Sequence, residues 1–402
     1  MLQSSSRTLF GRLFARGDTQ QKMMPYWYGS LRAYVTPVGK PAWSARTYTK
    51  FADEAYRRNV VAHRAINLIA RGAASVPLLV FTRSAKGERI ELGAHPVKSL
   101  IESPSPVMNQ AGFFEALYTY KLLSGNAYVQ AIGPVGESPQ ELYLLRPDRM
   151  QVIAGKGGIP LGYRYTVGEA HTDFSVDRIT GFSSILHLKE FHPTDDWYGL
   201  SSVEPAAYSI DQHNQASAWN QSLLQNGARP SGALVVRGGE GGGNLSEEQY
   251  WRLKNQISEE FSGSENAGKP ILLEGGLDWK EMSLSPKDMD FMEAKHSAAR
   301  DIALAFGVPP QLLGIPGDNT YSNLSEARLA LWEQTILPLV DGTLGALSSW
   351  LSRYYGERIF LESDTDAISA LAPRRDGIWE RVKDAAFLSD EEKRAAVGYG
   401  KR

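Results

Sequence analysis

The chain has 402 residues, with 43 Lys and Arg against 45 Asp and Glu, and it contains no cysteine. This excludes a disulfide-stapled secreted scaffold, a Cys-ligated zinc or iron–sulfur site and a cysteine nucleophile, and 42% hydrophobic with 22% charged residues is the balance of a folded chain of two or three domains. No stretch approaches the roughly eighteen apolar residues of a membrane span; the best, Ala65 to Phe81, is interrupted by Arg71, Gly72 and Pro77.

Residues 1–50 carry eight basic side chains against the single acid Asp18, a net of +7, which leaves −9 for the rest of the chain. Tyr26, Trp27, Tyr28, Tyr34, Trp43 and Tyr48 are interleaved with those cations, so this segment reads as a basic, aromatic arm that wraps a neighbouring surface or touches nucleic acid. An organelle presequence is also Arg-rich and acid-poor, but the pattern here runs well beyond such a leader. Glu54 to Ala73 has helical spacing and ends before Pro77. Leu78 to Phe81 reads as a buried strand, and Ser105 to Leu123 as a second helix with Phe113, Phe114, Leu117 and Tyr120 on one side. Short strands follow at 127–132, 141–145, 151–153, 162–166 and 184–187, separated by Gly, Pro and Asp, so 51–200 reads as one α+β domain.

Ser201 to Asn226 is helical in spacing but unusual in content. Seven positions are Asn or Gln (Gln212, Asn214, Gln215, Asn220, Gln221, Gln225 and Asn226), and only Glu204 and Asp211 are acidic. Neither a core helix nor an ordinary solvated one looks like this; it suits helix contacts or the wall of an aqueous passage. Residues 229–284 form a compact insert: a strand at 233–236, a Gly-rich run, and a helix over about 245–261 opened by a Ser246/Gln249 capping box. Strands at 270–273 and 278–282, turning at Gly275-Gly276, complete it. Pro286 to Phe306 is a helix of roughly 31 Å. The prolines and glycines of Gly307 to Asn323 bar a helix there, and a loop of this length between long helices implies a task. The helical pattern resumes from Leu324 to about Tyr354, with a kink expected at Pro338. A charged, weakly structured tail is expected from Glu362.

Chemistry is sparsely signalled. The run Gly238 to Gly243 lacks the Gly-Lys-Ser/Thr ending of a phosphate loop, and Asn244 stands where a dinucleotide fingerprint needs its third glycine. Glu240, Glu247 and Glu248 would repel a phosphate, so the run reads as a hinge or loop. His187, His192, Asp195 and Asp196 are the one histidine and carboxylate cluster with ligand-like residues. They define an alternative reading as a metal-dependent DNA-processing enzyme. Their spacing matches no metal motif, and no Gly-x-Ser-x-Gly nucleophile elbow is present. A monomeric adaptor or scaffold is the third possibility.

Taken in order, a set of short stretches resembles the portal proteins of tailed phages and related gene transfer agents. They are VAHRAINLIARGAASVP (61–77), HPVKSLIESPSP (95–106), KLLSGNAY (121–128), LYLLRPDR (142–149), GLSSVEP (199–205), NGARPSG (226–232), GKPILLEGGLDWKEMSL (268–284), FGVPPQLLG (306–314) and TYSN (320–323). Each is weak alone; their number and order over about 60–340 carry the match. The resemblance implies a ring, typically of twelve subunits, at one capsid vertex, with no catalytic residue and no cofactor. Double-stranded DNA passes through it, driven in by the terminase large subunit. The major capsid protein and a head-tail adaptor dock on it, no membrane is involved, and assembly takes place in the bacterial cytoplasm before the ring becomes part of the virion or particle.

By position, the resemblance implies an α+β portal-type subunit. The basic arm is 1–50, the wing 51–200, the first stem helix 201–228, a small α/β clip 229–284 and the second stem helix 285–306. A tunnel loop at 307–323, a long kinked helix at 324–360 and a crown-like tail at 361–402 follow. Lys287, Lys295 and Arg300 are expected as sparse cations along the DNA channel, with Asn319, Thr320, Tyr321 and Asn323 as polar contacts at its constriction. Arg237, Trp251 and Trp279 are expected on the clip surface that meets terminase and adaptor. An acidic body, uncharged amides and few cations fit a conduit, because every Lys or Arg held against a phosphate adds salt-dependent affinity and so friction.

Overall fold

The structure is a computed structural model that describes residues 43–84, 87–134, 137–225, 232–236, 246–252, 255, 277–281, 291–316 and 321–397. The expected helix over 54–73 is divided. A π-helical stretch, Phe51–Arg57, precedes α1, Val60–Ala74. The division falls at Asn59, whose extended backbone lets its Oδ1 accept the N–H groups of Val61 and Ala62. A side-chain cap of this kind restarts a helix wherever it stands, whatever the apolar spacing around it. α1 buries Ala62, Ala65, Ile66, Ile69, Ala70 and Ala73 along one face. Those small residues let α3, Gln110–Ser124, lie close against it with Phe113, Phe114, Leu117 and Tyr118.

α3 starts five residues later than the spacing implied, because Asn109 caps it through the Gly112 N–H (2.9 Å). The residues before it contain a helix not anticipated, α2, Pro96–Glu102, opened by the His95 Nδ1 acceptor and by proline in its first turn. The strands β1 (Leu78–Arg83) and β2 (Arg89–Glu91) form one antiparallel sheet with β11, Phe360–Ser363, in the order β11-β1-β2. Phe81 lies opposite Phe360, and Leu78 opposite Ser363. The tail expected to be weakly structured from Glu362 is therefore corrected: Glu362 and Ser363 end a strand that pairs with β1 and buries Leu361. Helices α8 (Ala372–Lys383) and α9 (Asp390–Ala396) follow it.

Two further antiparallel sheets lie between α3 and residue 200. β3 (Asn126–Ile132) is central to β4 (Glu141–Leu145) and β8 (Ile185–Lys189), while β5 (Met150–Ile153), β6 (Gly162–Val167) and β7 (Ala170–Ser175) form the other. β7 was not anticipated: all but Phe174 of its residues are exposed, and without a buried face no alternating pattern marks it. Tyr128, Leu145, Met150, Val152, Tyr163, Val176 and Ile185 make a second small core here. The main core joins α1, α3, β1 and β11 to the helices beyond residue 200.

In the insert, β9 (Gly232–Val236) pairs antiparallel with β10 (Leu277–Glu281), and the expected capping box is present. Ser246 N–H donates to Gln249 Oε1 (2.9 Å), and Gln249 N–H donates to Ser246 Oγ (3.2 Å). The strand expected at 270–273 and its Gly275-Gly276 turn lie outside the described residues.

Candidate functional site

The site starts from a corner that seats the amide-rich helix. α3 ends on Gly125, left-handed at φ 73°, and a Cβ there would fall 2.4 Å from the Gly199 carbonyl oxygen, so only glycine fits. Next to it, Asn126 Oδ1 accepts the Gly199 N–H (2.8 Å) and the His187 Nε2–H (2.9 Å). Ser201 Oγ donates to the Leu123 carbonyl (2.8 Å) and accepts the Val203 N–H (3.0 Å), opening α4, Val203–Gln225. The stretches KLLSGNAY and GLSSVEP thus interlock as one joint between the α+β region and α4.

α4 packs along α5, Phe291–Ala305, with Ser209 Oγ donating to Asp301 Oδ2 (3.3 Å). Near its start α4 buries Val203, Ala206, Ala207, Ile210 and His213. Gln212, Gln215, Gln221 and Gln225 are exposed, uncharged amides spread around half of the helix circumference. Asn214 is used internally: its Nδ2 donates to the Glu54 carbonyl and its Oδ1 accepts from Asn59 Nδ2, both at 3.0 Å. Asn59 also faces His213 Nδ1 at 3.3 Å. Because Asn59 Oδ1 already caps α1, its amide group must present N–H to that ring, and His213 Nδ1 must be a bare acceptor. Burial, reinforced by the charge of Lys295, pushes the His213 pKa down.

The end of the arm segment meets the same helix. Ser44 N–H donates to Asp211 Oδ2 (3.0 Å), and the Arg46 guanidinium lies 4.5 Å from the centre of the Tyr208 ring.

Beyond α5 the chain turns at Gly307, with φ 63°. Its carbonyl accepts from Thr335 Oγ1 (2.7 Å). Pro310–Leu313 form a 3-10 turn, and Ile315 is buried against Ala299 and Ala303. Arg300 is engaged at this point: its Nη2 donates to the Pro316 carbonyl (2.9 Å), and Nη1 lies 4.0 Å from Glu293 Oε1. The guanidinium therefore fastens the first half of the loop to α5. Lys295 is half-buried, and Lys287, Asn319 and Thr320 lie outside the described residues.

The expectation that 307–323 is all loop is corrected at its end. α6, Tyr321–Leu331, already contains Tyr321 and Asn323. It runs into a π-helical turn, Trp332–Ile336, and then α7, Leu337–Tyr355. At Pro338, where a kink was expected, the helix is preceded by this π-helical turn. Proline cannot donate to the preceding turn and its ring crowds the carbonyl four residues back, and a wider turn in which Leu337 N–H bonds to the Trp332 carbonyl relieves both. That turn carries Thr335 toward Gly307 and Ile336 toward Gly72 of α1, where a Cβ would come within 2.7 Å of Ile336 Cδ1. Neither Thr335 nor Asn59 stood out in the sequence; an Asn just ahead of an apolar helical run was the one available sign of the latter.

Of the residues expected on the clip, Trp251 is half exposed with its ring edge-on to Tyr250 at 5.7 Å. Trp279 sits in β10 opposite Leu234, and Arg237 lies outside the described residues.

The residues of the histidine and carboxylate cluster are each engaged by other neighbours. His187 stacks on Tyr128 at 4.3 Å, donates to Asn126, and is pushed down to about 3 by burial and then by Lys189. His192 Nδ1 accepts the Thr194 N–H (3.2 Å), and Asp195 Oδ1 accepts the N–H groups of Trp197 (2.7 Å) and Tyr198 (3.1 Å). Lys189 Nζ donates to the Asp196 carbonyl. Among the described residues no three His, Asp or Glu side chains converge to hold a metal.

Comparison with known proteins agrees with this architecture. The sequence profile described as phage portal protein matches residues 60–398. A protein of Rickettsia felis is 50% identical over 350 residues, covering 87% of this chain and 89% of that one. The portal protein of Enterobacteria phage HK97 is 27% identical over 301 residues, covering 72% of this chain and 66% of the phage protein. Among solved structures, a chain in the neck of a native gene transfer agent particle with C12 symmetry is 45% identical. The match covers 90% of this chain and 96% of that one, with a TM-score of 0.68.

Proposed function

The chain belongs to the phage portal protein family, and from that premise we propose that it assembles into a ring of twelve copies through which DNA enters and leaves a phage or gene-transfer-agent particle. The observation that carries this is 45% identity across nine-tenths of the chain to a chain in the neck of a native gene transfer agent particle computed with C12 symmetry. The same likeness supports a home at the capsid vertex.

In this reading, terminase drives DNA through the ring and a head-tail adaptor closes it. The surface around Arg237, Trp251 and Trp279 serves those partners, and the major capsid protein surrounds the outside. α4 and α5 are the stems, and the loop from Gly307, held by Thr335 and Arg300, approaches the axis. The polar residues Asn319, Thr320, Tyr321 and Asn323 meet DNA there, with Lys287 and Lys295 as the sparse cations behind them. The exposed amides of α4 support such a passage, since they can hydrogen-bond water and phosphate without the counterion-release affinity of a lysine-lined wall. The role is structural, with no reaction assigned to any residue.

Negative-stain imaging of the purified full chain tests it. Rings with a central hole and twelvefold class averages are expected; a chain that stays monomeric at high concentration would overturn the reading.

A further inference from the structure

The C-terminal helices α8 and α9 have a surface that the other described residues leave uncovered. α8 is 12 residues long and buries none of them. An isolated helix of that length is marginal in water, so its apolar side must meet something. Its attachments to the body are polar: Arg374 pairs with Glu333, and Arg375 donates to the Asp366 carbonyl. Between α8 and α9 lies a groove of about 670 Å³ lined by Trp379, Val382 and Val397 together with Lys383, Lys393, Arg394 and Glu380, so that three cations outweigh one carboxylate. Trp379 is 50% exposed, and Phe387, in the turn between the helices, 86%.

The same hairpin also carries the opposite charge. Asp384, Asp390 and Glu391 are exposed around the turn into α9 and take no part in lining the groove. A surface with a basic apolar groove at one place and an acidic corner with an exposed aromatic at another is complementary to its own copy in a head-to-tail sense. Such heterologous contacts close on themselves when the rotation between copies divides a full turn, as in a ring. The similar chain stands in a gene transfer agent neck computed with C12 symmetry.

We propose that the α8–α9 hairpin is a subunit clasp: the groove of one copy receives the Phe387 corner of the next. This rests on the ring reading above and adds to it the surface that joins the copies.

Charge reversal in trans tests it in the full-length chain. One variant, Lys393→Glu with Arg394→Glu, has an acidic groove and an acidic corner; another, Asp390→Lys with Glu391→Lys, is basic at both. Each alone should require at least tenfold more protein to form rings in mass photometry. An equimolar mixture should assemble like the wild type, because alternating copies pair opposite charges at every seam of an even-numbered ring. Variants that assemble at the wild-type concentration, or a mixture no better than its components, would refute the clasp. Trp379→Ala leaves every charge in place and should weaken assembly to a similar degree, which guards against a folding defect in the charge variants; wild-type assembly in Trp379→Ala likewise counts against the clasp. Failure of the wild-type chain itself to form rings would strike the ring reading first.

Discussion

His187 and His213 are held neutral by their surroundings, and this gives the fold a defined response to acid. His187 lies against Tyr128 with its ordinary value of 6.5 pushed down to about 3, and His213 shifts in the same direction. Below about pH 6.5 the unfolded chain binds a proton on each imidazole, whereas the folded chain withholds it from His187 until about pH 3 and at His213 takes it up later than the unfolded chain does. Their contribution is therefore complete above pH 6.5 and is lost as the pH falls toward the folded values. Between pH 6.5 and 5 the suppressed His187 imidazole removes about 2 kcal/mol at most. Urea unfolding at pH 7 and pH 5 should show that loss, and His187→Phe, which keeps the stack on Tyr128, should flatten the slope. An unchanged slope in that variant would show that His187 is not responsible. As a string of letters, His187 with Asp195 looked like ligands; each turned out to be satisfied by a neighbour its own segment cannot reveal, Asn126 for the imidazole and a turn's N–H groups for the carboxylate.

Among the elements, the π-turn at Trp332–Ile336 joins three others: α1 through Gly72, the end of α5 through Gly307, and α6 by continuity. Gly307 combines a positive φ with a Cβ position 2.8 Å from Thr335 Oγ1. Gly307→Ala should therefore cost roughly 1–2 kcal/mol in backbone strain and also displace that hydroxyl. Thr335→Val should cost about 1 kcal/mol for the lost hydrogen bond. Both variants damage one contact, so the double variant should lose less than the two single losses combined, as read from urea midpoints. Strict additivity would mean that the alanine leaves the Thr335 hydrogen bond undisturbed. Periodicity located the long helices well, because a buried face repeats every turn. It missed the break at Asn59 and the late start at Asn109, because one capping side chain outweighs the spacing around it.

At the scale of the whole molecule, the two ends of the described chain depend on each other. β11 covers one edge of β1, and Ile359, Leu361, Ile368 and Leu371 are buried in the main core. A chain ending after Arg358 should lose its cooperative thermal transition and aggregate through the bared β1 edge. One ending after Leu371 should melt close to the full chain while lacking the α8–α9 hairpin. Equal melting of both truncations would show β11 to be dispensable. Composition alone excluded cysteine chemistry, and local patterning identified the α+β region, the amide-rich helix, the helix after it and the capping box at Ser246. The ordered motifs pointed to the family, because they are short-range signals written in consecutive residues. Tertiary structure decided what those residues are for: Gly125, Asn126 and Ser201 interlock as a joint, Arg300 holds the Pro316 carbonyl, and Phe360–Ser363 completes a sheet begun near residue 78. Such pairings link positions tens to hundreds of residues apart, and no local period records them, since only the folded chain brings the partners within bonding distance.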